Sequence, residues 1–227
     1  MPIVFDLDGT LIDSARDLGE AASELVQSYG APPVSVSEVV AMVGDGAPIL
    51  VRRTLTRAGL DPEMPGALER FMQIYDRRLI DHTTAYPGVI ESLALAVQRG
   101  PLAVLTNKPL GPTIGILEAL GLRGFFTRVI GGDSAYGRKP DPAGLRALMA
   151  LDGGVGPLGS TIMIGDSPAD AKVASAASCA FGFARYGFGA AKFGAQPPQT
   201  PYVLNHAREL AAMLDRWGQA MNIDRGR

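Results

Sequence analysis

The sequence predicts an α/β protein, a parallel sheet with helices on both faces, interrupted by an inserted all-α segment. Short apolar runs bounded by polar residues or glycine alternate with helical patterns along the 227 residues, which is typical of a parallel sheet covered on both faces. The run at 102–105 (Leu-Ala-Val-Leu) is apolar on both faces of a strand, as a buried parallel strand should be. The long interval after the first run holds only helical patterns, which predicts the insertion.

The strands of the predicted sheet are short runs rich in branched apolar residues. In chain order they lie at residues 3–7, 102–105, 128–130, 161–164 and 180–184. Helices are predicted at residues 89–99, 110–120 and 142–151, the second ended by Gly121 and the third by residues 152–154. Residues 188–201 are rich in glycine, proline and glutamine, which predicts a loop, and residues 203–217 are predicted to form a structural helix.

Residues 14–84 form the predicted insertion, because a simple β-α-β crossover does not need that length. Its helices are predicted at residues 14–29, 37–42, 47–58 and 65–80. Leu18, Ala22 and Leu25 place an apolar stripe on the first of them, which suffices for a small bundle. We therefore predict an α/β core domain of residues 1–13 and 85–227, and a helical cap domain of residues 14–84. The alternative is that the inserted helices merely cover the sheet.

Composition and charge restrict the possible partners. The chain is 47% hydrophobic and 19% charged, near the globular average. Lysine and arginine number 21 against 23 aspartate and glutamate, without a block of like charge, so neither nucleic acid nor a membrane surface is an expected partner. No apolar run approaches the ~18 residues that span a bilayer, and no basic segment precedes the first one. Because Cys179 is the single cysteine, we expect a cytoplasmic protein.

Charged and polar side chains cluster where the predicted strands end. The segments are Asp6-Leu7-Asp8-Gly9-Thr10, Thr106-Asn107-Lys108, Lys139-Pro140 and Gly165-Asp166-Ser167, with Asp170 shortly after the last. Because the carboxyl ends of parallel strands meet at one edge of a sheet, these side chains are expected to converge. Several carboxylates in one place repel one another and cannot all stay ionised without a cation. Since Mg²⁺ prefers oxygen ligands and takes one or two carboxylates plus a substrate phosphate, we predict a magnesium site.

The spacing of the first two aspartates indicates a division of labour. Asp6 is predicted to be a nucleophile that forms an aspartyl-phosphate, and Asp8 a general acid that protonates the leaving alkoxide. The Thr106 hydroxyl, the Asn107 backbone N–H and the Lys139 ammonium are predicted to neutralise the phosphoryl oxygens. Taken singly, each segment is also consistent with an ordinary turn, a solvated loop or a helix cap. Their combination at successive strand ends favours phosphate chemistry.

The chain resembles the haloacid dehalogenase superfamily phosphatases that carry a helical cap. Residues 6–14 (Asp-Leu-Asp-Gly-Thr-Leu-Ile-Asp-Ser) match that family's signature, and the resemblance covers nearly the whole chain. It implies a Rossmann-like core, with Asp6 as the nucleophile and Asp8 as the acid/base. The phosphate-binding residues that it implies are Thr106, Asn107 and Lys139.

The same resemblance implies a metal site. Mg²⁺ would be held by Asp6, the Asp8 backbone carbonyl and Asp166. Asp170 and Ser167 would lie behind these ligands. Dehalogenases of the superfamily generally lack the second aspartate of the first motif, so Asp8 favours a phosphatase.

Within the superfamily the chain is most similar to phosphoglycolate phosphatases. The segments that carry this narrower resemblance are residues 43–47, 50–53, 86–89, 131–134, 138–142 and 186–189. The departures are Ser178, where relatives commonly have glycine, and Phe188, where tyrosine is common. Neither touches the chemistry, and the resemblance implies 2-phosphoglycolate as the substrate.

The cap is predicted to close over the site and exclude water. Gly44, Asp45 and Gly46 are expected to form a turn that dips toward the leaving group, and Arg52 or Arg53 to recognise a substrate carboxylate. The alternative for both arginines is a solvated position on the cap surface. Hinges are expected near residues 13–14 and 84–86.

The predicted function is magnesium-dependent hydrolysis of a small phosphorylated metabolite, with 2-phosphoglycolate as the best single substrate. The expected partner is a small-molecule phosphate ester, and the protein is expected to be a monomer or a homodimer. One alternative is a sugar phosphomutase that uses the same Asp6 and Asp8, although its cap should carry more sugar-binding polar residues than this glycine-rich turn. The other is a non-catalytic phosphometabolite-binding module, against which the intact Lys139 and Asp166 argue.

Overall fold

A six-stranded parallel sheet forms the centre of the molecule in a computed structural model that describes residues 1–150 and 160–225. The strands are β1 (Ile3–Phe5), β2 (Ile12–Asp13), β3 (Thr84–Ala85), β4 (Leu102–Leu105), β5 (Phe126–Ile130), β6 (Ile162–Gly165), β7 (Ala180–Ala184) and β8 (Tyr202–Leu204). The central sheet has the order β5-β4-β1-β6-β7-β8, and each neighbouring pair is parallel. The predicted α/β parallel fold is confirmed.

The helices of the described residues fall into two groups, one that covers both faces of this sheet and one whose members pack on one another. They are α1 (Ala15–Gln27), α2 (Val36–Met42), α3 (Ala47–Arg57), α4 (Ala67–Asp76), α5 (Val89–Ala96), α6 (Leu110–Ala119), α7 (Ala143–Met149), α8 (Pro168–Ala176) and α9 (Leu210–Arg225). Short 3₁₀ turns lie at Arg123–Phe125, Phe188–Phe193 and Ala207–Glu209. None of the helices in the described ranges is long and apolar enough to cross a membrane.

The alternation of side chains along the strands builds two separate cores. In β1, Ile3 and Phe5 enter one buried cluster and Val4 enters another, because successive side chains of a strand point to opposite faces. Helices α5, α6 and α9 pack on the first cluster, and α7 and α8 on the second. Both faces of β1 are therefore buried, which explains why every residue of this strand is apolar.

Helices α1 to α4 pack on one another around a third buried cluster, whose members all lie between Leu18 and Tyr75. The chain enters and leaves this bundle through β2 and β3, which pair antiparallel with Asp13 opposite Thr84. The buried carboxylate of Asp17 accepts hydrogen bonds from the backbone N–H groups of His82 and Thr83 and from the Thr83 hydroxyl, and so ties the exit to the first helix. The division into a core domain and a cap domain at residues 14–84 stays a prediction.

The predicted helix over residues 203–217 is wrong at its beginning. Residues Tyr202–Leu204 instead form β8, in which Tyr202 pairs with Gly182 of β7, and the helix begins only at Leu210. Leu204 is buried in the core cluster beside Trp217, so the apolar pattern attributed to one helix belongs to a strand and a helix in succession. The predicted loop 188–201 contains the 3₁₀ turn Phe188–Phe193. The predicted helix end at Leu151 and the stop at residues 152–154 lie outside the described residues.

Candidate active site

The candidate active site lies at the carboxyl ends of β1, β4 and β6. Asp6 follows β1, and its backbone N–H donates to the Ile164 carbonyl of β6 at 2.8 Å, which fixes it at the strand end. Thr106 and Asn107 follow β4, and Asp166 follows β6. An open cleft lies between these strand ends and helices α1, α3 and α4. From β1 the chain adds β4 and β5 on one side of the sheet and β6 to β8 on the other. Ligands bind at such a point of reversal in open parallel sheets.

The buried side chain of Lys139 joins two carboxylates at the bottom of this site. Its Nζ lies 2.7 Å from Oδ1 of Asp6 and 2.7 Å from Oδ1 of Asp170. Burial alone lowers the pKa of a lysine, but the charges of Asp170 and Asp6 outweigh it and raise the pKa of Lys139. Lys139 is therefore a fully charged ammonium that compensates two buried carboxylates.

The other oxygen of Asp170 is also engaged. Its Oδ2 accepts hydrogen bonds from the backbone N–H and the hydroxyl of Ser167, at 2.9 and 2.6 Å. Ser167 precedes α8, so these bonds also hold the beginning of that helix. Both oxygens of Asp170 therefore accept hydrogen bonds from protein groups, Oδ1 from Lys139 and Oδ2 from Ser167.

Oxygen ligands for a cation gather beside Lys139. Carboxylate oxygens of Asp6, Asp166 and Asp170 all lie within 4.8 Å of one another. Burial, reinforced by the charge of Asp170, raises the pKa of Asp6 to about 7, and burial likewise raises the pKa of Asp166 well above its usual range. This crowding of buried negative charge is what a hard divalent cation relieves, so the donor set fits Mg²⁺.

Glycines allow the chain to approach Asp166 closely. A Cβ added to Gly9, whose φ is 82°, would lie 2.0 Å from Oδ2 of Asp166. The backbone N–H of Gly189 donates to the same oxygen at 2.7 Å, and a Cβ there would lie 2.8 Å from it. Asp166 is thus held between two backbone segments, with Oδ2 bonded and no hydrogen bond to Oδ1 from any described residue.

Asp8 lies between the sheet and the helical bundle. Its Oδ1 accepts from the Ser14 hydroxyl at 2.5 Å and from Lys108 Nζ at 3.1 Å. The same ammonium donates to the Tyr75 hydroxyl of α4 at 2.7 Å. Lys108 and Tyr75 line the cleft but were not among the predicted site residues, although a charged residue directly after Thr106-Asn107 at a strand end was a usable signal for Lys108.

Asn107 connects Lys139 to the turn between α2 and α3. Its Nδ2 donates to the Gly44 carbonyl at 2.8 Å and to the Lys139 carbonyl at 3.0 Å, and its Oδ1 accepts from the Lys139 N–H at 2.7 Å. Gly46 has a φ of 91°, and a Cβ there would lie 2.9 Å from the Asn107 carbonyl oxygen. The turn is therefore in direct contact with the strand end below it.

The structure brings most, but not all, of the predicted site residues together. Lining the cleft are Asp6, Asp8, Gly44, Gly46, Thr106, Asn107, Asp166 and Ser167. Lys139 and Asp170 are buried next to Asp6 and do not line the cleft themselves. Asp45 and Arg52 do not line it either: Asp45 pairs with Arg53 at 2.6 Å, and Arg52 pairs with Glu63 at 2.6 Å on the exposed surface of the bundle. Lys192, which was not predicted, lines the cleft instead.

The fold and the cleft together define an α/β enzyme whose active-site region is built on carboxylates at strand ends. A family model described as haloacid dehalogenase-like hydrolase matches residues 3–184. The chain belongs to this family of haloacid dehalogenase-like hydrolases.

Several relatives are similar over most of the chain. The phosphoglycolate phosphatase of Pseudomonas savastanoi pv. phaseolicola is 38% identical over 192 residues, which cover 82% of this chain and 70% of the relative. That of Cereibacter sphaeroides (strain ATCC 17029) is 35% identical over 219 residues, which cover 94% and 97%. The crystal structure of a predicted phosphoglycolate phosphatase from Haemophilus somnus 129PT superposes with a TM-score of 0.81 at 28% identity, covering 93% of this chain and 96% of that one.

Proposed function

We propose that this chain is a magnesium-dependent phosphatase that hydrolyses 2-phosphoglycolate through an aspartyl-phosphate on Asp6. The coarser class, a phosphoric monoester hydrolase, follows from its family and from relatives named phosphoglycolate phosphatase. The observation that carries the finer proposal is the buried arrangement in which Lys139 bridges Asp6 and Asp170 while Asp166 lies within 4.8 Å. Such an arrangement suits a site that must gather phosphoryl oxygens and a cation around one carboxylate.

Asp6 is the nucleophile in this proposal. Its Oδ1 is engaged by the Leu7 N–H and Lys139, both at 2.7 Å, whereas no described residue donates to its Oδ2. Oδ2 attacks phosphorus, a new P–O bond forms, and the bond from phosphorus to the ester oxygen breaks. Asp8 gives its proton to the departing alkoxide. In the second step Asp8 takes a proton from water, which attacks phosphorus, releases inorganic phosphate and restores the Asp6 carboxylate.

Mg²⁺ would be held by Asp6, the backbone carbonyl of Asp8 and Asp166. When bound, it supplies positive charge that offsets the crowded carboxylates and the phosphoryl oxygens. Asp170 and Ser167 are not assigned as metal ligands, because both oxygens of Asp170 already accept hydrogen bonds from Lys139 and Ser167. Their part is to orient Lys139 and the beginning of α8.

The phosphoryl oxygens have three further donors in this proposal. They are the Thr106 hydroxyl, the Asn107 backbone N–H and the Lys139 ammonium. Thr106 and Asn107 are buried at the end of β4, and the side chain of Asn107 is fixed by Gly44 and Lys139. Donors held rigidly by neighbours do not need to reorganise as charge develops in the transition state.

The lining of the cleft favours a small substrate over a sugar phosphate. On the side of the helical bundle it consists of Leu18, Val43, Gly44, Gly46, Ala47, Leu50, Phe71, Met72 and Tyr75. Of these side chains only the Tyr75 hydroxyl is polar, and Lys108 already binds it. A hexose would bury several hydroxyl groups without hydrogen-bond partners there, at about 1–3 kcal/mol each. The phosphomutase alternative is therefore disfavoured.

Phosphate release from a substrate panel tests the proposal. The panel contains 2-phosphoglycolate and hexose phosphates, each assayed with Mg²⁺ and with EDTA. We expect rapid, metal-dependent release from 2-phosphoglycolate and its loss in Asp6→Asn, while Asp76→Asn, an exposed carboxylate on α4, retains activity. Isomerised hexose phosphate with little phosphate release would support a mutase instead. Stoichiometric binding without turnover would leave a binding module.

A further inference from the structure

Lys192 reaches the cleft from the 3₁₀ turn Phe188–Phe193. At the beginning of this turn, the Gly189 N–H donates to Oδ2 of Asp166 at 2.7 Å. Residues three apart eclipse each other on a 3₁₀ helix with a rise of about 2 Å per residue, so Lys192 lies on the same side as Gly189, about 6 Å further along. The turn thus brings the Lys192 ammonium to the cleft on the same side as the Gly189–Asp166 contact.

The Lys192 ammonium lies against the turn between α2 and α3. A Cβ built on Gly44 would be 3.3 Å from Lys192 Nζ. The Gly44 carbonyl also accepts a hydrogen bond from Asn107, so this turn of the bundle lies next to a residue proposed to bind phosphate. Lys192 is therefore close to both walls of the cleft.

Lys192 has no hydrogen-bond or ion-pair partner in residues 1–150 and 160–225. The other lysine that lines the cleft, Lys108, is paired with Asp8, and the nearby Asp45 is paired with Arg53. The surrounding wall is apolar, with Val43 and Phe188 lining it. Partial burial lowers the pKa of Lys192, while Asp45 and Asp166 act in the opposite sense. An unpaired ammonium in a partly desolvated cleft is complemented by an anionic ligand.

We propose that the Lys192 ammonium binds a second anionic group of the substrate, a carboxylate on the leaving-group side. This inference rests on the proposed function and names the feature of the substrate that this cleft selects. The phosphoryl group itself has Lys139, Thr106 and Asn107 at the strand ends, so Lys192 is left for a charge beyond the ester oxygen. Lys192 thus takes the role that sequence reasoning assigned to Arg52 or Arg53, whose guanidinium groups pair with Glu63 and Asp45.

A matched pair of substrates isolates this contact. In 2-phosphoglycolate the group beyond the methylene is a carboxylate, and in 2-hydroxyethyl phosphate it is a neutral alcohol. For Lys192→Met we expect kcat/KM for 2-phosphoglycolate to fall about 10- to 100-fold, the worth of a hydrogen bond between charged groups, chiefly through KM. The value for 2-hydroxyethyl phosphate should change little, and Lys192→Arg should recover part of the preference for the carboxylate.

Lys172→Met is the charge-matched control. Lys172 is exposed on α8, so its substitution removes the same charge without removing a group from the cleft. We expect both esters to be hydrolysed by this variant as by the wild type. An equal loss for both esters in Lys192→Met, or an unchanged ratio between them, would overturn the role of Lys192 while leaving the phosphatase proposal intact.

A binding measurement separates this inference from the proposed function. In an Asp6→Asn background with Mg²⁺, calorimetry gives the Kd of each ester without turnover. We expect 2-phosphoglycolate to bind more tightly than 2-hydroxyethyl phosphate, and Lys192→Met to abolish the difference. Failure of the wild type to hydrolyse either ester contradicts the phosphatase proposal alone, whereas equal Kd values in the Asp6→Asn background contradict the inference on Lys192.

Discussion

At the scale of single residues, Lys139 supplies the positive charge that allows two carboxylates to be buried close together. Its ammonium lies 2.7 Å from both Asp6 and Asp170, and all three side chains are almost inaccessible to solvent. Two carboxylates this close and this deeply buried would strongly favour a protonated form without a countercharge. The lysine therefore supports the fold and the proposed chemistry through the same two contacts.

Lys139→Met tests this double role. The substitution keeps a side chain of similar length but leaves Asp6 and Asp170 buried without their cation. We expect the free energy of unfolding, measured in urea with EDTA, to fall by about 3–5 kcal/mol. We expect kcat for phosphate release to fall about 10²- to 10³-fold. Lys172→Met serves again as the exposed control, and a loss of stability no larger than that control's would contradict the argument.

Most of the site residues that sequence reasoning found follow strands of the sheet, whereas Gly44 and Gly46, which also line the cleft, lie on the turn between α2 and α3. Asp6, Thr106 and Asp166 each directly follow a buried strand, and parallel pairing suffices to bring such positions together. Lys108 directly follows Thr106 and Asn107, so the same rule could have identified it as a site residue. Tyr75 and Lys192 were missed because their positions depend on how the helical bundle and the 3₁₀ turn pack over the sheet. No local pattern encodes that packing, and the same reason explains the misplacement of Arg52.

At the scale of elements, α4 is tied to the sheet through one hydroxyl. Tyr75 is buried, and its hydroxyl meets Lys108 Nζ, which in turn binds Asp8. The ammonium also lies 4.5 Å from the centre of the Tyr75 ring. The position of a bundle helix is therefore coupled to the side chain proposed as the acid/base.

Tyr75→Phe removes this hydroxyl and keeps the ring. We expect the free energy of unfolding in urea to fall by about 1.5–3 kcal/mol, because a hydrogen bond to a buried charged group is lost. Tyr29→Phe is the matched control, since no described residue bonds the Tyr29 hydroxyl and its ring contact with Arg70 survives the change. Equal stabilities of the two variants would show that the hydroxyl of Tyr75 does not hold α4.

The elements themselves differ in how well they could be predicted. Strands β1, β4 and β6 are apolar on both faces and were found at nearly their observed bounds. Strand β8 was missed because Tyr202–Leu204 is only three residues long and lies shortly before helix α9. Its apolar residues were assigned to the helical pattern that follows. Strands β2 and β3 have two residues each, too few for any alternation.

At the scale of the whole molecule, a bound cation should stabilise the folded chain. The cluster of Asp6, Asp166 and Asp170 exists only when β1, β6 and α8 are assembled, so the proposed Mg²⁺ would bind the native state in preference to the unfolded one. At a concentration one hundred times its Kd, we expect Mg²⁺ to raise the free energy of unfolding by about 2.7 kcal/mol.

Thermal melts with Mg²⁺ and with EDTA measure this effect. In Asp166→Asn the difference in Tm between Mg²⁺ and EDTA should shrink to the value expected from screening by salt. In Asp76→Asn this difference in Tm should equal that of the wild type. A metal-dependent shift of the same size in Asp166→Asn would place the cation elsewhere.

The two-stranded ribbon of β2 and β3 has a consequence for how such a molecule can diversify. The chain departs at Asp13 and returns at Thr84, and these two residues are direct partners across the ribbon. The seventy residues between them therefore begin and end at neighbouring positions beside the sheet. Any other folded segment could be inserted at this place if its two ends lie as close together as neighbouring strands. The wall that the bundle contributes to the cleft can thus be exchanged by replacing the residues between Asp13 and Thr84, while the strand-end residues and Lys192 stay in place.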